Sequence, residues 1–238
     1  MDAAILAFEM PGMDVQIHQH AGFQIIYAFE TPFNTEVEGT RYTGICGFVI
    51  KPQLAHACSG VNGKFAIINI EPDSIAGRIL DKALGESAVR VFYKDEDICT
   101  LLSLHANGQP AVYAALAYLR SAQNTGKLST RVQQVIDTIR NKMDERATPA
   151  LLAASVHLSQ SRLSALFKEE TGSSLSKFIL WTRLRRAIFL LLTEDKNLSE
   201  IAAETGFYDS PNFTKYMHQM IGVPPMAFRK KSDLIQVL

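Results

Sequence analysis

Three histidines near the start of the chain are the side chains best suited to chemistry. His18 and His20 are two residues apart, and His56 follows much later. Neutral imidazole nitrogen is a good ligand for zinc, iron and other borderline metal ions. Three such rings would form a metal site if the fold brought them together. Gln24, four residues after His20, would be a poor fourth ligand.

The residues around these histidines have the pattern of a β-sheet. Short β-prone stretches broken by turns extend from about Ala3 to Ile70. Gln24–Phe29 is the first clear strand, and Gly44–Ile50 and Lys64–Ile70 are apolar enough to be core strands. Several strands at this spacing predict a sandwich or a small barrel.

Helical patterns follow the predicted sheet. Ser74–Leu84 carries apolar residues on one face and begins at a capping residue, Asp73 or Ser74. Asp95–His105 and Pro110–Ser121 also have helical spacing. The last segment is apolar on more than one side, so it requires cover from the sheet or from another chain. The pattern alone leaves both kinds of cover open.

The last third of the chain contains a duplicated segment. At a shift of about 50 residues, apolar, capping and glycine positions of Leu151–Ser174 recur in Asn197–Pro225. In each copy a small residue in a first helix precedes a break, a capping residue and a second helix with apolar spacing. The copies end in glycines that could close the second helix. The matched pairs are Ser159 with Asp209, Leu163 with Phe213, Phe167 with Met217, Gly172 with Gly222, and Phe178 with Phe228.

This duplicated segment resembles the DNA-binding domain of AraC/XylS-type transcriptional regulators. The resemblance covers about 130–231 and is specific, because it includes two linked motifs and the closing sequence GVPPMAFR. It implies two helix-turn-helix motifs, at about 149–170 and 198–221, joined by a long helix. The matching residues include Leu152, Ala153, Leu158, Ser159, Phe167, Arg183, Leu184, Ala187, Ile201, Ala202, Gly206, Phe207, Asp209, Phe213, Pro224 and Arg229.

The resemblance also implies which side chains contact base edges. His157 replaces the usual glycine, so it should adopt a positive φ or shift the turn. Ala165 and Ser161 stand where some family members have arginine and a large aromatic residue. We therefore expect the first recognition helix to make weak contacts to bases. Asn212 could bond adenine in two places, and Lys215 could bond guanine or phosphate. The expected contact residues are Gln160, Ser161, Arg162, Ser164 and Ala165 in the first copy, and Ser210, Pro211, Asn212 and Lys215 in the second.

The linking helix is predicted over Ser176–Leu192, a length of about 25 Å at about 1.5 Å per residue. That length suits two recognition helices about one duplex turn of 34 Å apart. Arg185 and Arg186 either cover its outer face or contact DNA. Arg183 occupies a position where an ion pair between the two motifs is as plausible as a phosphate contact.

A weaker resemblance concerns the amino-terminal half. His18, His20, Gly47, Pro52 and His56 resemble the histidine-bearing stretches of the cupin barrel. Gln24 occupies the place of the carboxylate found in metal-dependent cupins. The resemblance implies an effector-binding or dimerising barrel, in which the histidines hold an effector or a metal ion, or are residual fold features. In regulators of this architecture, helices such as Pro110–Ser121 make the dimer interface, so the resemblance implies a homodimer. We do not favour the metal. A thiolate–imidazole site of His56 with Cys46 or Cys58 is a further alternative.

Composition and charge suit a two-domain globular protein. The 238 residues have no net charge, yet residues 126–238 hold 16 Lys and Arg against 11 Asp and Glu, a net +5. Residues 1–125 hold 8 against 13, a net −5. This asymmetry suits one half facing phosphate. The start lacks a secretory pattern and no apolar run could span a membrane, so we expect a cytoplasmic protein with free cysteines.

The sequence therefore predicts an α+β protein in two domains. Residues 1–122 form a cupin-like effector-binding or dimerisation domain, 123–129 a linker, 130–231 the AraC-type DNA-binding domain and 232–238 a tail. The predicted function is sequence-specific transcriptional regulation without enzymatic activity. Its partners would be double-stranded DNA, a small-molecule effector and RNA polymerase if it activates. The alternatives are a metal-dependent cupin enzyme fused to a DNA-binding module, and a ligand-free architectural DNA-binding protein.

Overall fold

The computed structural model describes residues 4–123, 128–141, 148–171, 173–221, 224–229 and 236–237. Within them the chain is an α+β protein whose strands lie mostly in the first ninety residues. The predicted linker residues 124–127, the helix-closing Gly172 and Gly222, and Met143 lie outside the described residues. None of the described helices has the length and apolar character needed to cross a lipid bilayer.

The strands form one eight-stranded sheet in the order β4-β3-β6-β2-β5-β7, with β1 also paired to β6 and β8 paired to β1. Each pairing described is antiparallel. The closed cupin-like barrel remains a prediction. The strands are β1 Ile5–His18, β2 Phe23–Ala28, β3 Phe33–Val37, β4 Thr40–Ile45, β5 Gly47–Ile50, β6 His56–Ile70, β7 Val89–Phe92 and β8 Gln236–Val237.

Strand β6 has three partners because it is 15 residues long. Its second half, from Phe65 to Ile70, pairs with β2, and its first half, from His56 to Ser59, pairs with β3. Strand β1 pairs along both halves, with a register shift between Pro11 and Met13. The long β1 was not predicted as a strand, since Pro11 and Gly12 interrupt its pattern.

Both faces of the sheet are buried. Neighbouring residues in a strand point to opposite faces, so Ile5 and Ala7 belong to one core and Leu6 and Phe8 to the other. All six residues of β2 are buried for this reason. The predicted strand Gly44–Ile50 is in fact two strands, β4 and β5, separated at Cys46.

Three helices cover the Ile5 face: α1 Ile75–Leu84, α2 Asp97–Leu102 and α3 Ala111–Gln123. Ser74 caps α1 and is one of the two capping residues that the sequence predicted. The apolar residues of α3, among them Ala111, Val112 and Leu119, are buried in this core. The chain's own sheet therefore covers the helix for which we expected a second chain, and the homodimer stays a prediction without support from α3.

The carboxyl-terminal half is helical and contributes to two cores. The first core contains side chains of α4 to α6 and the start of α7. The remaining helices share one core with the Leu6 face of the sheet. The helices are α4 Thr130–Asn141, α5 Pro149–Ser155, α6 Gln160–Thr171, α7 Leu175–Thr193, α8 Leu198–Glu204, α9 Ser210–Ile221 and α10 Pro225–Arg229.

Candidate nucleic-acid interface

Helices α5 and α6 form one helix-turn-helix unit, and α8 and α9 form a second. The same hydrogen bond closes both turns: Leu158 N–H donates to the Ala153 carbonyl at 2.9 Å, and Phe207 N–H donates to the Ala202 carbonyl at 2.9 Å. Ala153 and Ala202 are buried where the helices of each unit meet. The repeat found in the sequence is therefore a repeat of structure.

The turn residues behave as predicted. His157 has a φ of 55° and Gly206 has a φ of 76°, so both occupy the left-handed region. This conformation is unfavourable for most side chains, although histidine adopts it more readily than a β-branched residue does. The turn geometry is thus maintained in the first unit without the usual glycine.

Each second helix begins at the predicted capping residue. The Ser159 hydroxyl accepts a bond from Arg162 N–H at 3.3 Å, and the Asp209 carboxylate accepts one from Asn212 N–H at 2.7 Å. Such caps satisfy backbone donors that the first turn of a helix leaves unpaired. They fix where α6 and α9 start, and hence which residues lie on their first turns.

The residues predicted to contact bases lie on the outer surface of the first two turns of α6 and α9. Leu163, Phe167, Phe213 and Met217 are buried on the opposite face of each helix. None of the predicted contact residues is buried: Gln160, Ser161, Arg162, Ala165, Pro211 and Lys215 are exposed, and Ser164, Ser210 and Asn212 are partly exposed.

A groove of about 600 Å³ separates the two units. Its lining residues come from α7 and the start of the first unit on one side and from the second unit on the other. Asn212 lies on this lining. So does Tyr208, whose side chain is 90% exposed beside the Asp209 cap. The sequence analysis did not single out Tyr208. The signal available in the sequence was an aromatic residue placed between the turn glycine Gly206 and the capping residue Asp209.

The three arginines of α7 have different surroundings. Arg183 lines the groove, and burial lowers the pKa of its guanidinium. Arg186 lies 3.6 Å from the Glu204 carboxylate and stacks over the Phe189 ring. Arg185 is buried. Both readings that we gave for Arg185, an exposed outer face and a DNA contact, are therefore wrong, because this side of α7 packs inside the protein.

The structure brings the predicted histidines together at one end of the sheet. His18 at the end of β1 pairs in register with His56 at the start of β6, and His20 lies in the loop before β2. The ring centroids are 4.2 Å apart for His18 and His56, 4.9 Å for His20 and His56, and 5.7 Å for His18 and His20. Gln24 Oε1 lies 3.2 Å from His56 Nε2.

Burial sets the protonation of this cluster. Desolvation is the main cause that lowers the pKa of His20 to about 4 and that of His56 to about 3, and the neighbouring histidines lower both further. The pKa of half-buried His18 is also lowered, mainly by burial. The rings are therefore neutral near pH 7, the form in which imidazole binds metals.

The cysteines do not complete a thiolate site. Burial raises the pKa of the Cys58 thiol to about 12 and that of Cys46 to about 11. Among the described residues, the side chains close enough together to share one metal ion are His18, His20 and His56, without a cysteine. This argues against the thiolate–imidazole alternative.

The histidine cluster lies close to the second helix-turn-helix unit. Ala21 N–H, directly after His20, donates to the carbonyl of Gln219 in the last turn of α9 at 2.7 Å. The two halves of the chain also meet elsewhere. Lys177, at the start of α7, lies 2.7 Å from the carboxylate of Asp73, which precedes α1. The rings of Phe8 in β1 and Phe228 in α10 are 4.9 Å apart. The sheet and the second unit are therefore in direct contact.

Comparisons with known proteins agree with this geometry. The family described as "Helix-turn-helix domain" matches residues 152–231. The chain is 24% identical over 217 residues to the uncharacterized HTH-type transcriptional regulator YobQ of Bacillus subtilis, covering 89% of this chain and 88% of that protein. It is 39% identical over 75 residues to the HTH-type transcriptional activator RhaR of Pectobacterium carotovorum, covering 32% of this chain but 26% of RhaR.

A solved structure of ToxT resembles the chain over nearly its whole length. Apo ToxT from Vibrio cholerae matches with a TM-score of 0.50 and 11% identity, covering 97% of this chain and 98% of that one. At this identity the likeness concerns the fold alone. Residues 152–231 are a helix-turn-helix domain of the AraC type, and the chain that carries this domain is a DNA-binding transcriptional regulator.

Proposed function

We propose that α6 and α9 of one chain read two successive major grooves on one side of a DNA duplex. The observation that carries this proposal is the repeated geometry: two units with the same turn bond and the same capping position, joined by one continuous helix. Helix α7 has 19 residues and a length of about 28 Å at about 1.5 Å per residue. A duplex repeats its major groove about every 34 Å.

The second unit would supply most of the sequence discrimination. In helix-turn-helix proteins, residues near the start of the recognition helix contact base edges. Asn212 can bond adenine through two atoms, and Lys215 can bond guanine or phosphate. In the first unit, Ala165 offers apolar contact and the serines offer weak bonds, while Arg162 can reach a base or a phosphate. The proposed contacts are Gln160, Ser161, Arg162, Ser164 and Ala165 of α6, and Ser210, Pro211, Asn212 and Lys215 of α9.

We assign the amino-terminal half, with its proposed cupin-like fold, a regulatory role. Its sheet shares a core with the second unit, so a change at the sheet can alter the position or stability of α9. The likeness to ToxT along the chain supports the arrangement of a sheet domain followed by a DNA-binding domain. A regulator of this kind acts where cellular DNA is, in the cytoplasm. In the described part of the chain, the cluster that could hold a metal ion consists of His18, His20 and His56 without a carboxylate, so we favour the regulator over the cupin enzyme.

The first test is selection of bound duplexes from a random pool with the full chain. We expect an asymmetric site of two short blocks about one helical turn apart, because two different recognition helices face successive grooves. A double variant, Arg162→Glu with Lys215→Glu, should keep the helical circular dichroism spectrum and enrich nothing, since it repels phosphate at both units. The proposal is contradicted if the unaltered chain enriches duplexes with only one short block, or if it enriches no duplex at low salt.

A further inference from the structure

We propose that Tyr208 contacts the DNA backbone, and that its hydroxyl donates a hydrogen bond to a phosphate oxygen at the edge of the major groove that α9 enters. This inference rests on the proposed function, because it takes α9 to be a recognition helix. It adds a neutral contact with the backbone to the base contacts proposed for Asn212 and Lys215.

Tyr208 is the residue by which the second turn is longer than the first. In the first unit, the capping residue Ser159 directly follows Leu158, whose N–H closes the turn. In the second unit, Phe207 closes the turn and Asp209 is the cap, so Tyr208 stands between them. The repeat of structure therefore accounts for the residues on either side of Tyr208 but not for Tyr208 itself.

The packing of the second unit does not bury this side chain. A residue directly before a helix cap often packs against the fourth residue of the helix, which is Phe213 here. Phe207 packs there instead, with its ring centroid 5.3 Å from that of Phe213. Phe207 is 6% exposed and Phe213 is fully buried, whereas Tyr208 is 90% exposed. The Tyr208 side chain is therefore available to a partner molecule.

Tyr208 lies beside the surface proposed to contact DNA. It lines the groove between the two units together with Asn212. The proposed base contacts of α9 begin at Ser210, inside the helix, whereas Tyr208 precedes the Asp209 cap and lies outside the helix. A side chain next to a helix that enters a major groove is placed to meet the sugar-phosphate backbone at the edge of that groove.

The charge of the second unit favours a neutral donor. Residues 197–221 contain one lysine against three acidic residues, a net −2 with histidine neutral. Such a unit makes few ion pairs with phosphate and gains little affinity from the release of counterions. A tyrosine hydroxyl is one of the neutral groups that contact phosphate in protein–DNA complexes. A hydrogen bond to a charged acceptor is stronger than one between neutral groups, so Tyr208 adds affinity where cations are few.

The first test compares Tyr208→Phe with the unaltered full chain on the selected duplex and on a duplex of unrelated sequence. Loss of a hydrogen bond to a charged group should weaken binding by about 10-fold. The loss should be equal for both duplexes, because a phosphate contact carries no sequence information. The slope of the salt dependence should stay the same, since the number of ion pairs with phosphate does not change.

Tyr93→Phe is the matched control, because Tyr93 is a 60% exposed tyrosine in the sheet half. It should leave the Kd for both duplexes unchanged. Urea unfolding of both variants should match that of the unaltered chain, since each removes a hydroxyl from an exposed side chain. A change in DNA affinity at Tyr208 would then reflect a lost contact and not a lost fold.

A second measurement locates the phosphate. Single phosphates around the block bound by α9 are replaced in turn by uncharged methylphosphonate. At one position the replacement should weaken binding of the unaltered chain clearly more than binding of Tyr208→Phe, because that variant already lacks the bond. At the other positions both chains should lose affinity alike.

The outcomes separate this contact from the proposed function. Equal affinities of Tyr208→Phe and the unaltered chain would overturn the contact and leave the proposed function intact. A loss confined to the selected duplex would show a base contact and overturn the assignment to phosphate, as would equal methylphosphonate effects on both chains at every position. If the unaltered chain retains no duplex at low salt, the proposed function fails and the contact fails with it.

Discussion

Asn212→Ala should weaken binding to the selected duplex by about 5- to 150-fold, because one bidentate contact to a base is worth about 1–3 kcal/mol of discrimination. Asn212 lies on the first turn of α9, where its backbone N–H donates to the Asp209 carboxylate at 2.7 Å. It also lines the groove between the two units. Binding to duplexes of unrelated sequence should change little, since that binding comes from phosphate contacts. The measurement is the Kd for both duplexes at one salt concentration.

Two variants make this result specific. Asn141→Ala alters an exposed asparagine at the end of α4 and should leave both affinities unchanged. Ser161→Ala, on the first turn of α6, should lower the affinity for the selected duplex less than Asn212→Ala does, because a serine makes a weaker base contact. A larger loss for Ser161→Ala would mean that the first unit is the principal reader, and the assignment of roles would be reversed.

The second large effect is expected at Trp181. This side chain of α7 is fully buried in the core that the sheet shares with the second helix-turn-helix unit. The Trp181 ring packs beside Gly22 of the sheet half, where a Cβ atom at the glycine would lie 3.6 Å from the ring. Trp181→Ala should lower the free energy of unfolding by about 3–5 kcal/mol. That is a large fraction of the about 5–15 kcal/mol that stabilises a typical domain. Urea unfolding followed by circular dichroism measures the change.

Trp181→Phe is the matched control. The Trp181 indole N–H has no hydrogen-bond partner among the described residues, so phenylalanine loses volume but no bond. It should therefore cost much less than alanine. A second comparison is Phe167→Ala, which removes an equally buried ring from the core of the first unit. It should unfold the first unit early while the fluorescence of Trp181, the single tryptophan, still reports a packed sheet. Simultaneous loss of both signals would contradict two separate cores.

Features set by a few neighbouring residues could be predicted from the sequence. The caps Ser159 and Asp209, the positive φ of His157 and the exposure of the contact residues all depend on local backbone geometry and helical spacing. The convergence of His18, His20 and His56 came from a resemblance and not from spacing. The structure adds how the rings are held: Nδ1 of each lies 2.9–3.0 Å from the carbonyl oxygen of a residue two positions away.

Features set by contacts between distant segments could not be predicted. The apolar character of β2 on both faces signals that two layers cover the sheet, but it does not identify them. The structure shows that α1–α3 cover one face and the second helix-turn-helix unit the other. The burial of Arg185 and the cover of α3 follow from that arrangement. Strand β1 was missed because Pro11 and Gly12 break its pattern, while pairing along β6 maintains it.

The most direct test of the account changes the distance between the two blocks of the selected duplex. Inserting about five base pairs turns one block by about half a helical turn, away from the side that the chain contacts. Because α7 is one continuous helix, the two recognition helices cannot follow this rotation. We predict that the affinity of the full chain falls to that measured for a duplex with a single block. An unchanged affinity after the insertion would contradict the claim that α6 and α9 of one chain bind successive major grooves together.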